Sequence, residues 1–522
     1  MGSRAEKYAQ KHRKRNKMAK DSKTQKVHKD IKNSKTQKSL KDNSILGIKK
    51  VHLSAATVSV DIGDGSERGA YVGQGYILNK LGRPHRAVSI MYCYYPLDEA
   101  WPKRASEAYA DKEVTFAWDY PYDDYFPYLG GLGGSTDGEP FNFMREIRAY
   151  GQEVILTLTV DPKVGDEHII AIAKDLRPFG RIMLRMNHEC TGNWFSFTKR
   201  ASYREIADFF VRFKKIMSEY APNVRMILCA GAVMDRKNPE LEMEKEFNEA
   251  GAVADIWSID RYIGLNWGWP FEVAEKDNHA HRLESAKQNY ELTKMSYKRY
   301  CEIYGTKKPF VMSEVNADGD VAGPFKQAKV MKDFYTLFKK DPEHWASAIT
   351  LYQFRDDGRL GLEFTDPSDP SVGIEWPLMD TYREIINDPF FTPELKTGKA
   401  EKLPVTLRWG SSEDSDGIAI ELAMEKNPVF AEVNFPESLV PANLMLEING
   451  RWFRKAPGAR FVDLMPAFYK KKLKGACKLS LNIFAPPASG ENDPSQGDDW
   501  ATNYYFTLTE LPSVRLRFEP IV

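Results

Sequence analysis

The feature that most constrains this chain is a regular alternation of apolar, β-branched segments with amphipathic ones. The apolar segments favour strands, and the segments between them place apolar residues at helical spacing. Eight candidate strands occur at 86–95, 113–120, 153–160, 181–189, 224–231, 254–262, 309–316 and 347–354. Eight strands with intervening helices over about 300 residues predict a (β/α)8 TIM barrel of the α/β class. A doubly wound open sheet is disfavoured, because no Gly-rich phosphate turn follows the first strand.

The regions on either side of this alternation have a different residue pattern, which predicts additional domains or segments. Residues 400–522 contain short strands separated by Gly, Pro, Asn and Asp, which predicts an all-β sandwich as an accessory domain. Residues 51–84 form a short β-rich lead-in, and residues 85–392 are assigned to the barrel. At 522 residues, such a division into two or three domains is expected.

Residues 1–50 form a Lys-rich basic tail in this interpretation. They contain 17 Lys/Arg against 4 Asp/Glu, whereas the whole chain has a net charge of only +1. Lysine recurs at every third position from Lys11 to Lys41, so the charges would wind around a helix instead of lining one face. With little apolar surface to bury, the segment is predicted to be a disordered tail. It serves either as a plain tether or as a contact for an anionic polymer or surface.

Composition argues against several classes of protein. The five cysteines include no CxxC pair, which argues against a zinc site or a disulfide framework. No apolar run approaches the roughly 20 residues of a membrane span, and no apolar signal segment is visible at the N-terminus. Localisation, export route and oligomeric state stay open at this level.

The predicted strands end in polar residues, and two carboxylates interrupt otherwise apolar strands at their last positions. These are Glu189 on strand 4 and Glu314 on strand 7. The carboxyl ends of barrel strands line the active site. Two carboxylates that face each other, one protonated and one ionised, are what the cleavage of a glycosidic bond requires. A satisfied polar cluster at a loop is the structural alternative for His188 and Glu189.

The segment "LRMNHECTGNWF" resembles the strand-4 motif of glycoside hydrolase family 26, a clan A family of retaining β-glycanases. The matching positions are Arg185, His188, Glu189, Gly192 and Trp194. Three weaker segments resemble other parts of that family: "KKPFVMSEVN" its strand 7, "ADIWSIDRY" its strand 6, and "YQFRDDG" the aromatic-Arg pair of its strand 8. The resemblance covers residues 85 to 390 approximately.

The resemblance implies a role for each matching residue. Glu189 would be the general acid/base and Glu314 the nucleophile, with no metal or organic cofactor. His188 would bind substrate, while Arg185 and Tyr262 would hold the nucleophile. The remaining expected substrate contacts are Trp194, Phe354, Arg355, Trp118 and Trp267, while Asp260 is expected to give hydrogen-bonding support.

The expected substrate is a β-linked plant or microbial polysaccharide, cleaved internally, with β-mannan favoured. Thr191, Cys190 and Phe354 depart from the family pattern, so mixed-linkage β-1,3-1,4-glucan and β-1,3-xylan stay open as substrates. A catalytically inactive carbohydrate-binding or scaffold protein is the alternative from another class. The family would imply a secreted or cell-surface protein.

Overall fold

The computed structural model describes residues 45–64, 71–97, 126–192, 195–263, 285–317, 319, 323–356, 360–491 and 503–520. Most of the Lys-rich tail lies outside these residues, as do Trp118, Trp194 and Trp267. Among the described helices, none combines the length and the apolar character that crossing a bilayer requires.

Eight parallel strands close into a barrel, which confirms the predicted fold class. The strands are β2 (Ser59–Gly63), β3 (Ala87–Tyr94), β5 (Glu153–Val160), β6 (Ile182–Met186), β7 (Val224–Cys229), β10 (Ile256–Asp260), β11 (Phe310–Val315) and β12 (Ala348–Leu351). They pair in this order, and β12 pairs with β2 to close the ring. A short strand, β4 (Phe126–Pro127), pairs with β3 outside the ring. The strands are buried on both faces because side chains fill the barrel and helices cover it.

Helices alternate with the barrel strands and bury one apolar face each against them. They are α1 (Gln74–Leu81), α2 (Phe141–Ala149), α3 (Asp166–Leu176), α4 (Ser196–Arg200), α5 (Tyr203–Tyr220), α6 (Glu244–Val253), α7 (Ala286–Tyr304), α8 (Pro324–Lys340) and α9 (Pro377–Ile386). Helix α5 begins at a capping box formed by Ser202 and Glu205, and it buries Ile206, Phe210 and Phe213 at helical spacing. Two short hairpins accompany the barrel: β8 (Val233–Asp235) with β9 (Asn238–Leu241), and β13 (Glu363–Thr365) with β14 (Gly373–Glu375).

The predicted lead-in, residues 51–84, is divided between two parts of the structure. Strand β2 is the first barrel strand, and all five of its residues are buried. Its sequence, Ser-Val-Asp-Ile-Gly, alternates polar and apolar residues as a half-exposed strand would, yet both of its faces are buried. Strand β1 (Ile45–Ser54) pairs instead with the C-terminal strands 394–400 and 414–424. The second strand expected at 113–120 lies outside the described residues, and the described strands already complete a ring of eight.

The C-terminal part consists of antiparallel strands. They are β15 (Glu394–Ala400), β16 (Val405–Ser411), β17 (Asp414–Met424), β18 (Phe430–Asn434), β19 (Leu444–Ile448), β20 (Arg451–Lys455), β21 (Phe461–Asp463), β22 (Cys477–Phe484), β23 (Tyr504–Leu508) and β24 (Ser513–Arg517), with a short helix α10 (Pro466–Tyr469). Strands β21, β18 and β24 form a small sheet, and the others join β1 in a larger one. An apolar core joins the two sheets, to which β17 contributes Ile418, Ile420 and Leu422. Ala419, which lies between Ile418 and Ile420 in β17, points to the opposite face of the sheet, where Leu78 of α1 packs.

An ion pair at the start of the barrel strands connects β2 to β3. Asp61 is fully buried and accepts a hydrogen bond from Arg86 Nε at 2.9 Å and another from the Ala87 backbone N–H at 3.1 Å. The second guanidinium nitrogen of Arg86 donates to the other carboxylate oxygen. Removing one partner of such a pair leaves a desolvated charge without compensation.

We predict that Asp61→Ala lowers the free energy of unfolding by about 3 to 5 kcal/mol, because Arg86 would stay largely buried without its carboxylate. Chemical denaturation followed by circular dichroism measures this loss. Asp333→Ala is the matched control, since it removes the exposed ion pair of Asp333 with Lys329 and should change stability by less than about 1 kcal/mol. Equal losses in the two variants would contradict the prediction.

Candidate active site

The end of β6 turns sharply and presents three polar residues in succession. Asn187 and Glu189 both have positive φ values, 46° and 49°, which few non-glycine residues adopt. The Asn187 side chain accepts a hydrogen bond from the Val160 backbone N–H at 2.6 Å and donates one to the Val160 carbonyl at 3.1 Å. Asn187 thus extends the pairing of β6 with β5 through its side chain and fixes the turn that positions His188 and Glu189.

A buried network surrounds Arg185, whose side chain has no exposed surface. Its Nε donates to Thr157 Oγ1 at 2.8 Å, and one terminal nitrogen donates to Asp260 Oδ2 at 2.6 Å. The other terminal nitrogen donates to Glu314 Oε1. We call these four residues the Arg185 network. Burial alone lowers the pKa of Arg185, but the carboxylates of Asp260 and Glu314 outweigh it and raise the pKa well above its usual range.

The second carboxylate oxygen of Glu314 has its own donor. The Tyr262 hydroxyl donates to Glu314 Oε2 at 2.6 Å, and the Tyr262 ring packs edge-on against Tyr352 at 5.5 Å. Each oxygen of Glu314 therefore accepts a hydrogen bond from a different side chain, one of them a cation. Such contacts favour the ionised carboxylate and fix its orientation.

His188 lies beside this carboxylate. Its Nε2 atom is 3.9 Å from Glu314 Oε1, and its ring is 4.6 Å from that of Phe195. Burial, with a further contribution from the charge of Arg185, lowers the pKa of His188 well below its usual value. The imidazole is therefore neutral at physiological pH and adds no charge to the site.

Glu189 differs from Glu314 in its surroundings. It stands in the loop after β6 and is partly exposed, whereas Glu314 is buried within β11. Its backbone carbonyl accepts a hydrogen bond from Gly192 N at 2.9 Å, which closes the loop. The two carboxylates thus project from strands 4 and 7 of the barrel, at the carboxyl end where active sites of this fold lie.

Two polar residues, Thr157 in the Arg185 network and Ser313 beside it, were not singled out from the sequence. Thr157 Oγ1 accepts the hydrogen bond from Arg185 Nε, and the Ser313 hydroxyl donates to Asp260 Oδ1 at 2.6 Å. Both are polar residues inside apolar strands, which was the signal that could have identified them. Asp260 receives hydrogen bonds from Arg185 and Ser313, as expected of a supporting residue.

The structure brings Arg185, His188, Tyr262 and Glu314 together, but it places Phe354 and Arg355 elsewhere. The Phe354 side chain is fully buried and contacts the Tyr76 ring edge-on at 6.0 Å, so it offers no open face to a sugar. Arg355 Nε donates to the buried Glu363 at 2.7 Å, and its guanidinium lies over the same Tyr76 ring. Trp118, Trp194 and Trp267 cannot be placed, because they lie outside the described residues.

His188, Asp260 and Glu314 are close enough to share a cation, since one ligand atom of each lies within 4.8 Å of the others. The guanidinium of Arg185 already donates to both carboxylates of this group. A metal ion there would have to approach a fixed positive charge. The carboxylates of Asp260 and Glu314 are therefore better suited to the guanidinium of Arg185 than to a metal ion.

Comparisons with known proteins give low-identity likenesses. No protein-family model matches the chain, and no curated protein matches it. Among solved structures, it is similar to BoMan26A, a GH26 β-mannanase from Bacteroides ovatus, with 12% identity, a TM-score of 0.40, and coverage of 64% of this chain and 90% of that chain.

Two further solved structures give comparable values. AbfB, a family 51 α-L-arabinofuranosidase from Bifidobacterium longum, has 10% identity and a TM-score of 0.40, with coverage of 83% of this chain and 96% of that chain. Endoglucanase Cel5A from Thermotoga maritima has 14% identity and a TM-score of 0.40, with coverage of 62% and 97%. The likeness is one of fold, to glycoside hydrolases of more than one family.

The lowered pKa of His188 predicts how stability depends on pH. As pH falls through about 6.5, the unfolded chain protonates this residue while the folded chain keeps it neutral. The unfolded state then binds more protons, so the free energy of unfolding decreases as the solution becomes more acidic. We predict that His188→Gln makes this decrease less steep between about pH 6 and pH 5, by at most about 1.4 kcal/mol per pH unit.

Denaturant unfolding at a series of pH values measures the slope. His344→Gln, at an exposed histidine, is the control and should keep the slope of the unaltered chain. A His188→Gln variant with that same slope would show that the folded protein does not hold His188 neutral.

Proposed function

We propose that this chain is a retaining endo-β-glycanase in which Glu314 is the nucleophile and Glu189 the general acid/base. The observation that carries the proposal is the pair of hydrogen bonds that Glu314 accepts, from Arg185 on one oxygen and Tyr262 on the other. A nucleophilic carboxylate must be ionised and held in one orientation, and both contacts favour that state. The partly exposed Glu189 has room to exchange protons with substrate and water.

In the first step, a carboxylate oxygen of Glu314 attacks the anomeric carbon of the sugar. Protonated Glu189 gives its proton to the glycosidic oxygen, so the bond to the leaving saccharide breaks and a glycosyl ester forms on Glu314. In the second step, ionised Glu189 takes a proton from water, whose oxygen attacks the same carbon and releases Glu314. Two inversions at one carbon retain its configuration.

The charge of the site suits this reaction. Arg185 carries one positive charge against the two negative charges of Asp260 and Glu314, and His188 is neutral. The cluster therefore has a net charge of −1, which stabilises the positive charge that develops on the sugar in an oxocarbenium-like transition state. Asp260 lets Arg185 hold Glu314 without neutralising the site.

The proposed substrate is β-mannan, with mixed-linkage β-1,3-1,4-glucan and β-1,3-xylan as the alternatives. The choice rests on the strand-4 segment that contains His188, Glu189 and Trp194, and discrimination among glycans depends on such contacts. His188 is proposed to contact the sugar beside the cleaved bond, while Trp118, Trp194 and Trp267 are proposed to contact it further away. Phe354 and Arg355 are proposed to lie behind this surface without contacting the sugar. Phe354 packs against Tyr76, and Arg355 donates to Glu363.

We predict that Glu314→Ala and Glu189→Ala each abolish the release of reducing ends from the polysaccharide. The two variants should respond differently to added azide with an aryl β-glycoside that has a good leaving group. In Glu314→Ala, azide fills the space of the lost nucleophile and attacks directly, which gives the α-glycosyl azide. In Glu189→Ala, azide attacks the glycosyl ester on Glu314 and gives the β-glycosyl azide.

The assay compares β-mannan, mixed-linkage glucan and β-1,3-xylan, and nuclear magnetic resonance assigns the configuration of the azide product. Release from one polymer names the substrate. No release from any of them by the folded chain would contradict the proposed activity and favour a carbohydrate-binding protein. If Glu314→Ala gave the β-glycosyl azide and Glu189→Ala the α-glycosyl azide, Glu189 would be the nucleophile and Glu314 the general acid/base.

Removing the Tyr262 hydroxyl should impair chemistry without removing the nucleophile. We predict that Tyr262→Phe lowers kcat by about 10- to 100-fold, because a hydrogen bond to a charged group contributes about 1.5 to 3 kcal/mol. Tyr304→Phe is the matched control, since that hydroxyl donates to the Asn248 carbonyl at the opposite end of the barrel. Steady-state kinetics on the polymer identified above measures both, and equal kcat values for Tyr262→Phe and the control would overturn this role for Tyr262.

A further inference from the structure

A second polar region lies between the barrel and the C-terminal sheets. It is a cavity of about 680 Å³, and its walls come from the end of α1, the segment 82–86, the end of α9, and strands β16, β19 and β20. This volume falls in the range of small-molecule sites, about 300 to 1,000 Å³. We call it the junction cavity. Because Arg86 immediately precedes β3, the cavity lies toward the amino ends of the barrel strands, away from Glu189 and Glu314.

The lining of the junction cavity is strongly basic. Seven cationic side chains contribute to it, namely Lys80, Arg83, Arg86, Arg383, Arg451, Lys470 and Lys471, against a single carboxylate, Glu447. Glu447 is already occupied, since its two oxygens accept hydrogen bonds from Gly450 N at 2.6 Å and Asn482 Nδ2 at 2.5 Å. Burial also raises its pKa, which weakens its ability to balance the cations.

Three of the cations have carboxylate partners elsewhere. Lys80 and Arg383 pair with Glu375, and Arg86 pairs with Asp61. The other four form no salt bridge with the described residues, and only Arg83, through Glu413, and Lys471, through Glu447, interact with a carboxylate at longer range. A basic excess in a partly enclosed space is electrostatically unfavourable unless an anion enters it.

The excess of positive charge is clearest at Arg83 and Arg451. Arg83 is buried and donates only to neutral oxygens, among them Thr392 Oγ1 at 3.0 Å, and burial lowers its pKa to about 10. Arg451 donates to the carbonyl of Asn79 at 3.0 Å, while its Nε is buried without a hydrogen-bond partner among the described residues. Burial, with the repulsion of Arg383, lowers the pKa of Arg451. An incoming anion would give both guanidinium groups a charged acceptor.

The same cavity has aromatic walls. Trp409, Trp452 and Tyr469 line it. Trp452 stacks with one face on Phe484, at a centroid distance of 5.8 Å, and keeps part of its surface exposed. Tyr469 is 70% exposed at the edge of the cavity. Aromatic rings combined with polar groups are the surfaces that bind sugar rings, because they match the apolar face of a sugar while its hydroxyls stay hydrogen-bonded.

We propose that the junction cavity binds an anionic sugar, a saccharide unit that carries a carboxylate or a phosphate. The cations without a salt bridge, Arg83, Arg451, Lys470 and Lys471, would receive the anionic group, and Trp452 with Tyr469 would contact the ring. Guanidinium groups bind both kinds of anion through paired hydrogen bonds. This site is separate from the Arg185 network and does not depend on the proposed hydrolysis.

Isothermal titration calorimetry of the full chain tests this proposal with four probes: glucuronate, glucose 6-phosphate, glucose and inorganic phosphate. We expect at least one sugar anion to bind about tenfold or more tightly than glucose, because only it supplies charged acceptors. Whichever of glucuronate and glucose 6-phosphate binds more tightly shows whether the ligand carries a carboxylate or a phosphate. Glu314→Ala should bind it unchanged, which separates this site from the barrel site.

Variants of the exposed lysines keep the test independent of folding. Lys470→Ala/Lys471→Ala should weaken binding about tenfold or more, as should Arg451→Gln, whereas Lys472→Ala/Lys474→Ala, nearby but outside the lining, should stay within about twofold. Circular dichroism verifies that each variant is folded. Absence of binding by both sugar anions would overturn the proposal, as would unchanged affinity in both lining variants. Inorganic phosphate binding as tightly as the sugar anions would overturn the assignment of a sugar.

Discussion

The candidate site depends on one fully buried cation, the guanidinium of Arg185. Its donors reach Thr157 on strand 3, Asp260 on strand 6 and Glu314 on strand 7, while Arg185 itself belongs to strand 4. A guanidinium without exposure to water is costly unless its donors and its charge are both satisfied, and here two carboxylates supply the charge. The network joins these four strands and holds the Glu314 carboxylate in one orientation before any substrate arrives.

The polar residues around this network divide into two kinds. Asn187 and Asn316 use their amides to complete hydrogen bonds of the backbone, with Val160 and with the Tyr352 carbonyl respectively. Tyr262 and His188 instead face the carboxylate of Glu314, one as a hydroxyl donor and the other as a neutral ring. The first kind shapes the strand ends, and the second determines the charge and the hydrogen bonding at the carboxylate.

The two ends of the barrel have opposite electrostatic character. At the carboxyl ends of the strands, the Arg185 network carries a net negative charge, which suits a reaction that develops positive charge. At the junction with the C-terminal sheets, the basic lining of the cavity suits an anionic ligand. The large sheet creates that junction, because β20 approaches the end of α1, where Trp452 N donates to the Gly82 carbonyl at 2.8 Å. A net charge of +1 for the chain conceals this separation.

The sequence by itself determined the barrel, because apolar strands and amphipathic helices have different periods that can be read locally. It also indicated Glu189 and Glu314, since a carboxylate at the end of an apolar strand is costly without a purpose. It did not identify β2 as the first barrel strand, because the alternation of polar and apolar residues in Ser59–Gly63 is typical of a half-exposed strand, whereas both faces of β2 are buried. Only the tertiary structure decided that Thr157 and Ser313 support the network, that Phe354 is buried against Tyr76, and that β1 joins the C-terminal sheet. These outcomes depend on contacts between residues distant in the chain, and no local pattern records which distant segments will meet.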